Sequence, residues 1–399
     1  MTEVAMERKL LHTPEGVRDI YNDECAERLL IQDRLHNVLK LYGYKDIQTP
    51  SFEFFDIFNK ERGSVASKNM FKFFDREGNT LVLRPDMTPA IARCAAKYFE
   101  NEKETVRLCY IGNSFINNSR YQGRLKETTQ AGCELIGNNS TDADAEVIAL
   151  LIDSILSSGL TEFQVEVGHI GFFSGLVKEA GISEAGEAEL REIIRNKNIF
   201  RVGEILESEG VPDEMGESFY RLAQLFGNVE ILKEAEELTK NPAALAAIEH
   251  LREVYELLKV YGFERYLTFD LGMLNEHNYY TGVIFQAYTY NVGEPLAGGG
   301  RYDKLIGQFG KERPSIGFTL TVDLLHQAVQ RQRIELPKPD AVKTLIYDGA
   351  NAANAVKLAS FFRNSGIPAR MLPTEQADGT VTDGGITVDA SALERYGIK

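Results

Sequence analysis

The sequence predicts an α+β protein in which a sheet flanked by helices is interrupted by a helical stretch and followed by a small α/β unit. Three observations predict it. Runs rich in β-branched and aromatic residues, bounded by glycine, proline and asparagine turns, occur up to about residue 170 and return after 265. Between them, about 175–261 is charged, helix-forming sequence without strand runs, the mark of an inserted helical domain within a body spanning 1–330. A polar linker at 331–340, carrying Pro337 and Pro339, precedes a strand-helix-strand pattern in 341–399.

Composition narrows the function classes. A chain of 399 residues with 43% hydrophobic content can bury a large core and exceeds the usual size of one compact domain. Its formal charge of -15 argues against a broad nucleic-acid footprint, which needs basic patches that release phosphate counterions. Cys25, Cys94, Cys109 and Cys133 have no C-x-x-C spacing and sit among apolar neighbours, so reduced, buried thiols are expected and no metal site. The N-terminus lacks the apolar core of a secretion signal and no run approaches ~18 apolar residues, so a soluble, cytoplasmic chain without a membrane span is expected.

Taken in order, Thr13-Pro14-Glu15-Gly16 is a turn, and Leu29, Leu30, Leu35, Val38 and Leu39 recur at helical spacing up to the stop at Tyr42-Gly43. A short strand at 44–49 ends at Pro50. Phe52, Phe54, Phe55 and Phe58 crowd after it, which predicts a buried contact, one option being a second subunit. Runs at 71–74 and 80–83 flank Arg76-Glu77-Gly78-Asn79, a hairpin signal because glycine and asparagine accept positive φ cheaply. The second run delivers Arg84-Pro85-Asp86-Met87-Thr88-Pro89, and Pro89 suits the first turn of a helix carrying Ile91, Ala92, Ala95 and Ala96.

Strands at 106–111 and 132–136 are joined by a polar segment containing Arg120 and Arg124, and a helix at 143–156 and a strand at 163–167 follow. Beyond the helical insertion, strand character returns at 266–271. The run at 283–290 should pair with a strand near Leu296. Gly298, Gly299 and Gly300 then mean either a tight corner or a place where a backbone or ligand comes too close for side chains. A strand at 316–318 and a helix through Leu325 close the body. In the terminal unit 344–347, 352–362 and 369–372 read as strand, helix and strand, and 374–385 as a loop.

The order helix, strand, proline, then L-R-P-D-M-T-P at 83–89, Y-Y-T-G at 279–282 and G-G-G-R-Y-D at 298–303 resembles the class II histidyl-tRNA synthetase catalytic domain over roughly residues 13–327. L-R-P-D-M-T-P in place of L-R-P-E-G-T, and a short C-terminal part, make the chain more similar to the ATP phosphoribosyltransferase regulatory subunits. The resemblance implies a class II aminoacyl-tRNA synthetase-like antiparallel sheet flanked by helices. It also implies a histidine pocket in which Asp86, Thr88 and Gln130 meet the ammonium, while Glu134 and Tyr280, with Tyr279 adjacent, meet the imidazole. Carboxylates and neutral acceptors suit those groups.

Adenylate chemistry needs fixed cations for polyphosphate. Here the synthetase's F-R-x-E reads Phe115-Ile116-Asn117-Asn118, and two further arginine positions carry Asn275 and Leu324. Charge-assisted contacts are worth ~1.5 to 3 kcal/mol each, so losing three removes roughly 5 to 9 kcal/mol if they add. Arg124 alone remains in the loop, as a solvated residue or a residual anion contact. No catalytic residue, metal ligand or cofactor is expected.

The resemblance therefore implies a non-catalytic regulatory subunit acting at the first step of L-histidine biosynthesis. Its partner would be a short-form catalytic ATP phosphoribosyltransferase chain in a hetero-octamer. The same likeness implies a self-dimer through the synthetase-type helix and strand, a response to L-histidine, and no tRNA. The alternative is an active histidyl-tRNA synthetase-like enzyme forming an aminoacyl adenylate, and a third option is an amino-acid sensor serving another partner. Each residue also has a plain reading: Asp86 as a helix cap, Glu134 as a solvent-facing strand carboxylate, Tyr279 and Tyr280 as core aromatics. Arg301 would tie a sheet edge through Asp303, and His277 would be structural.

Overall fold

The computed structural model describes residues 11–58, 65–118, 124–196, 198–222, 224–274, 279–338, 340–376, 385–389 and 391–398. Arg120, Asn275 and His277 lie outside the described residues. The chain divides into two compact units, Met1–Leu336 and Pro337–Lys399.

In the first unit the strands are β1 (Lys45–Asp46), β2 (Phe52–Phe54), β3 (Lys72–Phe74), β4 (Thr80–Leu83), β5 (Val106–Phe115), β6 (Glu127–Ile136), β7 (Gln164–His169), β8 (Phe226–Gly227), β9 (Leu267–Asp270), β10 (Val283–Tyr288), β11 (Ala297–Arg301) and β12 (Ser315–Thr321). Nine of them form one sheet in the order β1-β5-β6-β12-β11-β10-β7-β9-β8. From β5 to β7 every pairing is antiparallel, whereas β1 joins β5 and β9 joins β7 in parallel. The expected antiparallel sheet is thus correct at its centre and mixed at its flanks. The strand read at 44–49 shrinks to two residues, and β10 pairs with β11 as its spacing from Leu296 suggested.

Helix α1 (Asn22–Leu41) buries Ile31, Leu35 and Leu39, one stripe at four-residue spacing, and the chain leaves it through Gly43 at φ +80°. These side chains join a core that includes α3 (Thr141–Ser157), whose apolar residues are buried around most of the helix. The other sheet face is covered by α2 (Thr88–Tyr98), with Pro89 in its first turn and Ile91, Ala92 and Ala95 packed beside Tyr110, Tyr279 and Tyr302. Strand periodicity separates the two faces. In β6, Ala131, Cys133 and Leu135 enter the first core, while Gln130 and Glu134 occupy the alternate positions that face the α2 side.

The helical stretch begins earlier than read, at α4 (Ile170–Ala180), and runs through α5 (Glu184–Arg195), α6 (Val202–Ser208), α7 (Asp213–Leu222) and α8 (Ile231–Glu236) to α9 (Pro242–Val260). It is not free of strand, because β8 pairs with β9. Its buried Leu190, Phe219 and Leu251 belong to the same core cluster as Val165 and Val167 of β7. After β12, α10 (Val322–Arg331) packs on α1, joined to it by the buried Arg28–Asp323 pair at 2.6 Å.

Two expectations about side chains change. Of the crowded phenylalanines only Phe58 is buried; Phe52 and Phe54 stand exposed on a three-stranded sheet, β2-β4-β3, with Phe52 edge-on to Phe73. The four cysteines are free thiols, but Cys25 and Cys94 are only half-buried, because their helices α1 and α2 turn those positions toward the rim. Among the described residues no helix is long and apolar enough to cross a membrane.

The second unit is a parallel sheet ordered β14-β13-β15, made of β13 (Lys343–Tyr347), β14 (Ala369–Pro373) and β15 (Ile386–Val388). Helix α11 (Ala352–Asn364) supplies Ala355, Leu358 and Phe362 to a core with Leu345 and Val388. The third strand lies just beyond the segment read as a loop.

Candidate functional site

The six pocket residues taken from the sequence line one cavity of about 350 Å³, toward the small end of the range usual for small-molecule sites. Three chain segments build it. The turn before α2 brings Asp86 and Thr88, β6 brings Gln130 and Glu134, and the turn into β10 brings Tyr279 and Tyr280.

Glu134 is its buried polar centre. Thr88 Oγ1 donates to Glu134 Oε1 at 2.8 Å, and Tyr302 Oη donates to Glu134 Oε2. Burial raises the Glu134 carboxyl to about 8, the two hydroxyl donors opposing the rise and the nearby Asp86 charge adding to it. A solvent-facing strand carboxylate is therefore the wrong description of Glu134, which is 1% exposed. Asp86 Oδ1 accepts from the Thr88 backbone N–H at 3.2 Å at the entry to α2, and Oδ2 accepts from Tyr279 Oη at 3.4 Å. Burial, with the Asp86 charge next in size, pushes both Tyr279 and Tyr280 well above the ordinary phenol range, so both keep their hydroxyl protons as donors. Gln130 Oε1 is buried without a hydrogen-bond partner among the described residues.

Glycines leave this room open. A Cβ on Gly317 would lie 2.0 Å from Glu134 Oε2 and 2.3 Å from the Cys133 carbonyl oxygen, so the residue opposite Glu134 in the β12–β6 register has to be glycine. Gly300 is excluded from carrying a side chain by the Val283 carbonyl at 2.7 Å and the Tyr280 ring at 2.9 Å. Close backbone approach thus accounts for Gly300, and Gly298 lines the cavity itself.

Tyr302, Gln286 and Gly317 were missed by the sequence reading. Tyr302 sits inside the recognised G-G-G-R-Y-D run, but nothing in strand periodicity tells that its hydroxyl reaches across to β6. Arg301 is structural as expected, with a different main partner: its guanidinium holds Asp144 of α3, with Nε to Oδ1 at 2.9 Å, and Asp303 only at 3.3 Å.

A second, larger cavity of about 890 Å³ adjoins the first, sharing Ile116, Gln130, Glu294, Thr321 and Leu324. Both described positions where the resemblance puts lost arginines, Ile116 and Leu324, lie in this shared wall. Among the described residues much of the ionisable lining is paired, Asp23 and Lys126 excepted. Arg18 bonds Glu24, Arg124 Nε meets Glu294 Oε1 at 3.2 Å, and His326 Nε2 lies 2.9 Å from Glu27 Oε2. Asp323, also in this lining, is held by Arg28. Arg124 is therefore an ion-paired, exposed side chain.

Among the described residues one group has metal-ligand chemistry, His36, Asp46 and Cys109. His36 Nε2 lies 2.5 Å from Asp46 Oδ1, and the Lys40 ammonium already sits 3.0 Å from the other carboxylate oxygen.

This architecture matches known proteins. The histidyl-tRNA synthetase family profile covers residues 16–325. An ATP phosphoribosyltransferase regulatory subunit of Acetivibrio thermocellus is 38% identical over 90% of this chain and 85% of its own. One from Ruminiclostridium cellulolyticum is 39% identical over 90% and 85%. The chain belongs to this family of synthetase-like regulatory subunits. A crystal structure described as an ATP phosphoribosyltransferase regulatory subunit/histidyl-tRNA synthetase from Bacillus halodurans C superposes with a TM-score of 0.86 at 30% identity, covering 95% of this chain and 98% of that one. The fold is thus the class II synthetase-like α+β fold.

Proposed function

We propose that this protein is the regulatory subunit of a heteromeric ATP phosphoribosyltransferase, cytoplasmic and without catalysis of its own, acting at the first step of L-histidine biosynthesis. One observation carries the proposal: the small cavity keeps acceptors for an ammonium and a ring, while the adjoining cavity has Ile116 and Leu324 in its wall and its Arg18 and Arg124 tied to acids. A triphosphate brought there would have to displace those acids or meet their charge. L-histidine is the ligand assigned to Asp86, Thr88, Gln130, Glu134, Tyr279 and Tyr280.

The chemistry then falls to a short-form catalytic chain in a hetero-octamer. Feedback by histidine requires that its affinity differ between assembly states, since equal affinity shifts nothing. The exposed Phe52, Phe54 and Phe73 on the β2-β4-β3 sheet support self-association, because an apolar sheet face of this kind is stabilised by a covering partner.

Reconstitution with the short catalytic chain tests the whole. Turnover rises on mixing and falls again with histidine, while this chain alone gives no histidine-dependent pyrophosphate exchange. Robust exchange by the isolated chain would return the reading to an adenylate-forming enzyme.

A further inference from the structure

The wall of the small cavity is held from the opposite face of the sheet. Tyr302, whose hydroxyl donates to Glu134, belongs to the cluster on the α2 side. Its neighbour Arg301 pairs in register with Ile316 of the first core, so the two side chains leave on different faces. There Arg301 is buried, with Nε donating to Asp144 Oδ1 at 2.9 Å and Nη1 donating to the Asn138 carbonyl oxygen at 3.1 Å. The same segment reaches the tyrosine pair, because the Thr281 backbone N–H donates to the Arg301 carbonyl oxygen at 2.7 Å and Thr281 Oγ1 donates to Asp303 Oδ2 at 3.1 Å. Where Arg301 sits therefore fixes Tyr302 directly and Tyr280 through Thr281.

A fully buried carboxylate such as Asp144 has to be met by partners, and here they come from two parts of the molecule. One is Arg301 of the sheet. The other is His250 of α9, the last helix of the insertion, whose Nε2 lies 2.8 Å from Asp144 Oδ2. The first helix of the insertion is tied at the same place: His169 Nδ1 accepts the Gly171 N–H at 3.0 Å at the start of α4, and its ring stands edge-on to His250 at 5.5 Å between centroids.

We propose that His250 is a positioning residue for the cavity, holding Tyr302 on Glu134 through Asp144 and Arg301, so that a ligand in the cavity and the seating of the helical insertion are coupled. The inference rests on the assignment of the cavity to a histidine-type ligand and adds a regulatory contact to it. Coupling is reciprocal, so what the insertion does to the ligand the ligand does to the insertion. The plainer alternative is a buried ion pair that contributes to stability alone.

Titration calorimetry of the full chain with L-histidine separates the two. His250→Leu removes the donor to Asp144 and should weaken binding about fivefold or more, the lower end of ordinary coupling between sites. His250→Gln keeps a side-chain N–H donor and should stay close to wild type. In the Tyr302→Phe background His250→Leu should cost no further affinity, because the hydroxyl it positions is gone. Amide hydrogen exchange on the unsubstituted chain keeps the test decisive if His250→Leu fails to fold: L-histidine should slow exchange in α9 around His250. A lowered thermal midpoint with unchanged affinity in His250→Leu, an equal loss of affinity in both Tyr302 backgrounds, or α9 exchange indifferent to ligand overturns the inference and leaves the histidine pocket standing. Absence of L-histidine binding to the unsubstituted chain overturns the pocket assignment, and this inference with it.

Discussion

The two adjoining cavities share a wall yet have opposite histories written in their side chains. In the smaller one the polar atoms converge: Thr88 and Tyr302 both donate to Glu134, and Asp86 ties Tyr279 to the start of α2. In the larger one most of them pair off, with Arg18 on Glu24, Arg124 on Glu294 and Glu27 on His326, while Asp23 and Lys126 stand outside these pairs. The difference teaches that a cation kept in the sequence can still be neutralised by a neighbouring acid. Arg124 survives in sequence but is engaged by a local acid.

The sharpest way to break the contrast is Gly317→Ala. Its Cβ would meet both the Glu134 carboxylate and a backbone carbonyl, neither of which can give without moving β6. Ligand affinity in the small cavity should fall by about a hundredfold or more, the equivalent of roughly 3 kcal/mol, as measured by calorimetry. The paired charges of the larger cavity, none of them on β12, should stay in place. Unchanged affinity would remove Glu134 from the binding site.

Tyr302→Phe comes next. It deletes one of the two donors to Glu134 and leaves the ring in its packed place beside Tyr279. A hydrogen bond to a charged or charge-bearing group is worth ~1.5 to 3 kcal/mol, so affinity for L-histidine should drop about tenfold to a hundredfold. An affinity matching wild type would mean that Glu134 is positioned by the sheet alone.

Stability against pH probes the same carboxyl without a ligand. Glu134 has an ordinary value of 4.5 raised to about 8, so between those values the native state holds a proton that the unfolded chain has lost. Stability therefore falls as pH rises through that window and levels off above about 8. His169 has the opposite sign: burial lowers it from 6.5 to about 4, so stability rises with pH up to 6.5. Above 6.5 Glu134 acts without that offset, and chemical denaturation should show a loss of roughly 2 kcal/mol from pH 6.5 to 8, at about 1.4 kcal/mol per unit. Glu134→Gln should flatten this stretch; a slope persisting in the variant would place the titration elsewhere.

Much of this was legible in the sequence, and the failures have a physical pattern. Local signals with short reach were read correctly in the α1 helix, the Gly78 hairpin, Pro89 opening α2 and the glycine run of β11 beside Tyr280, although the buried α1 stripe runs through Ile31 and leaves the Leu29 of the sequence reading exposed. What escaped depends on partners far along the chain. Tyr302 and Glu134 are 168 residues apart, and Arg301 and Asp144 are 157 apart, so no periodicity could pair them. The exposed Phe52 and Phe54 escaped for a related reason: aromatic content predicts burial against something, and the sequence does not say whether that something lies in the same chain.

The smallest expected effect is also the one that guards the comparison. Arg124 and Glu294 are about half exposed, at 54% and 45% of their side-chain surface, and exposed ion pairs contribute ~0 to 1 kcal/mol. Arg124→Ala should therefore leave thermal stability within about a degree or two. It should also leave the affinity of the isolated chain for ATP or pyrophosphate unchanged, because a guanidinium already engaged by Glu294 has little left to offer a phosphate. A tenfold fall in polyphosphate affinity on Arg124→Ala would show that the residue leaves its acid readily when an anion arrives. The larger cavity would then be a working anion site, and the neutralisation argument would give way to one of exchange between partners.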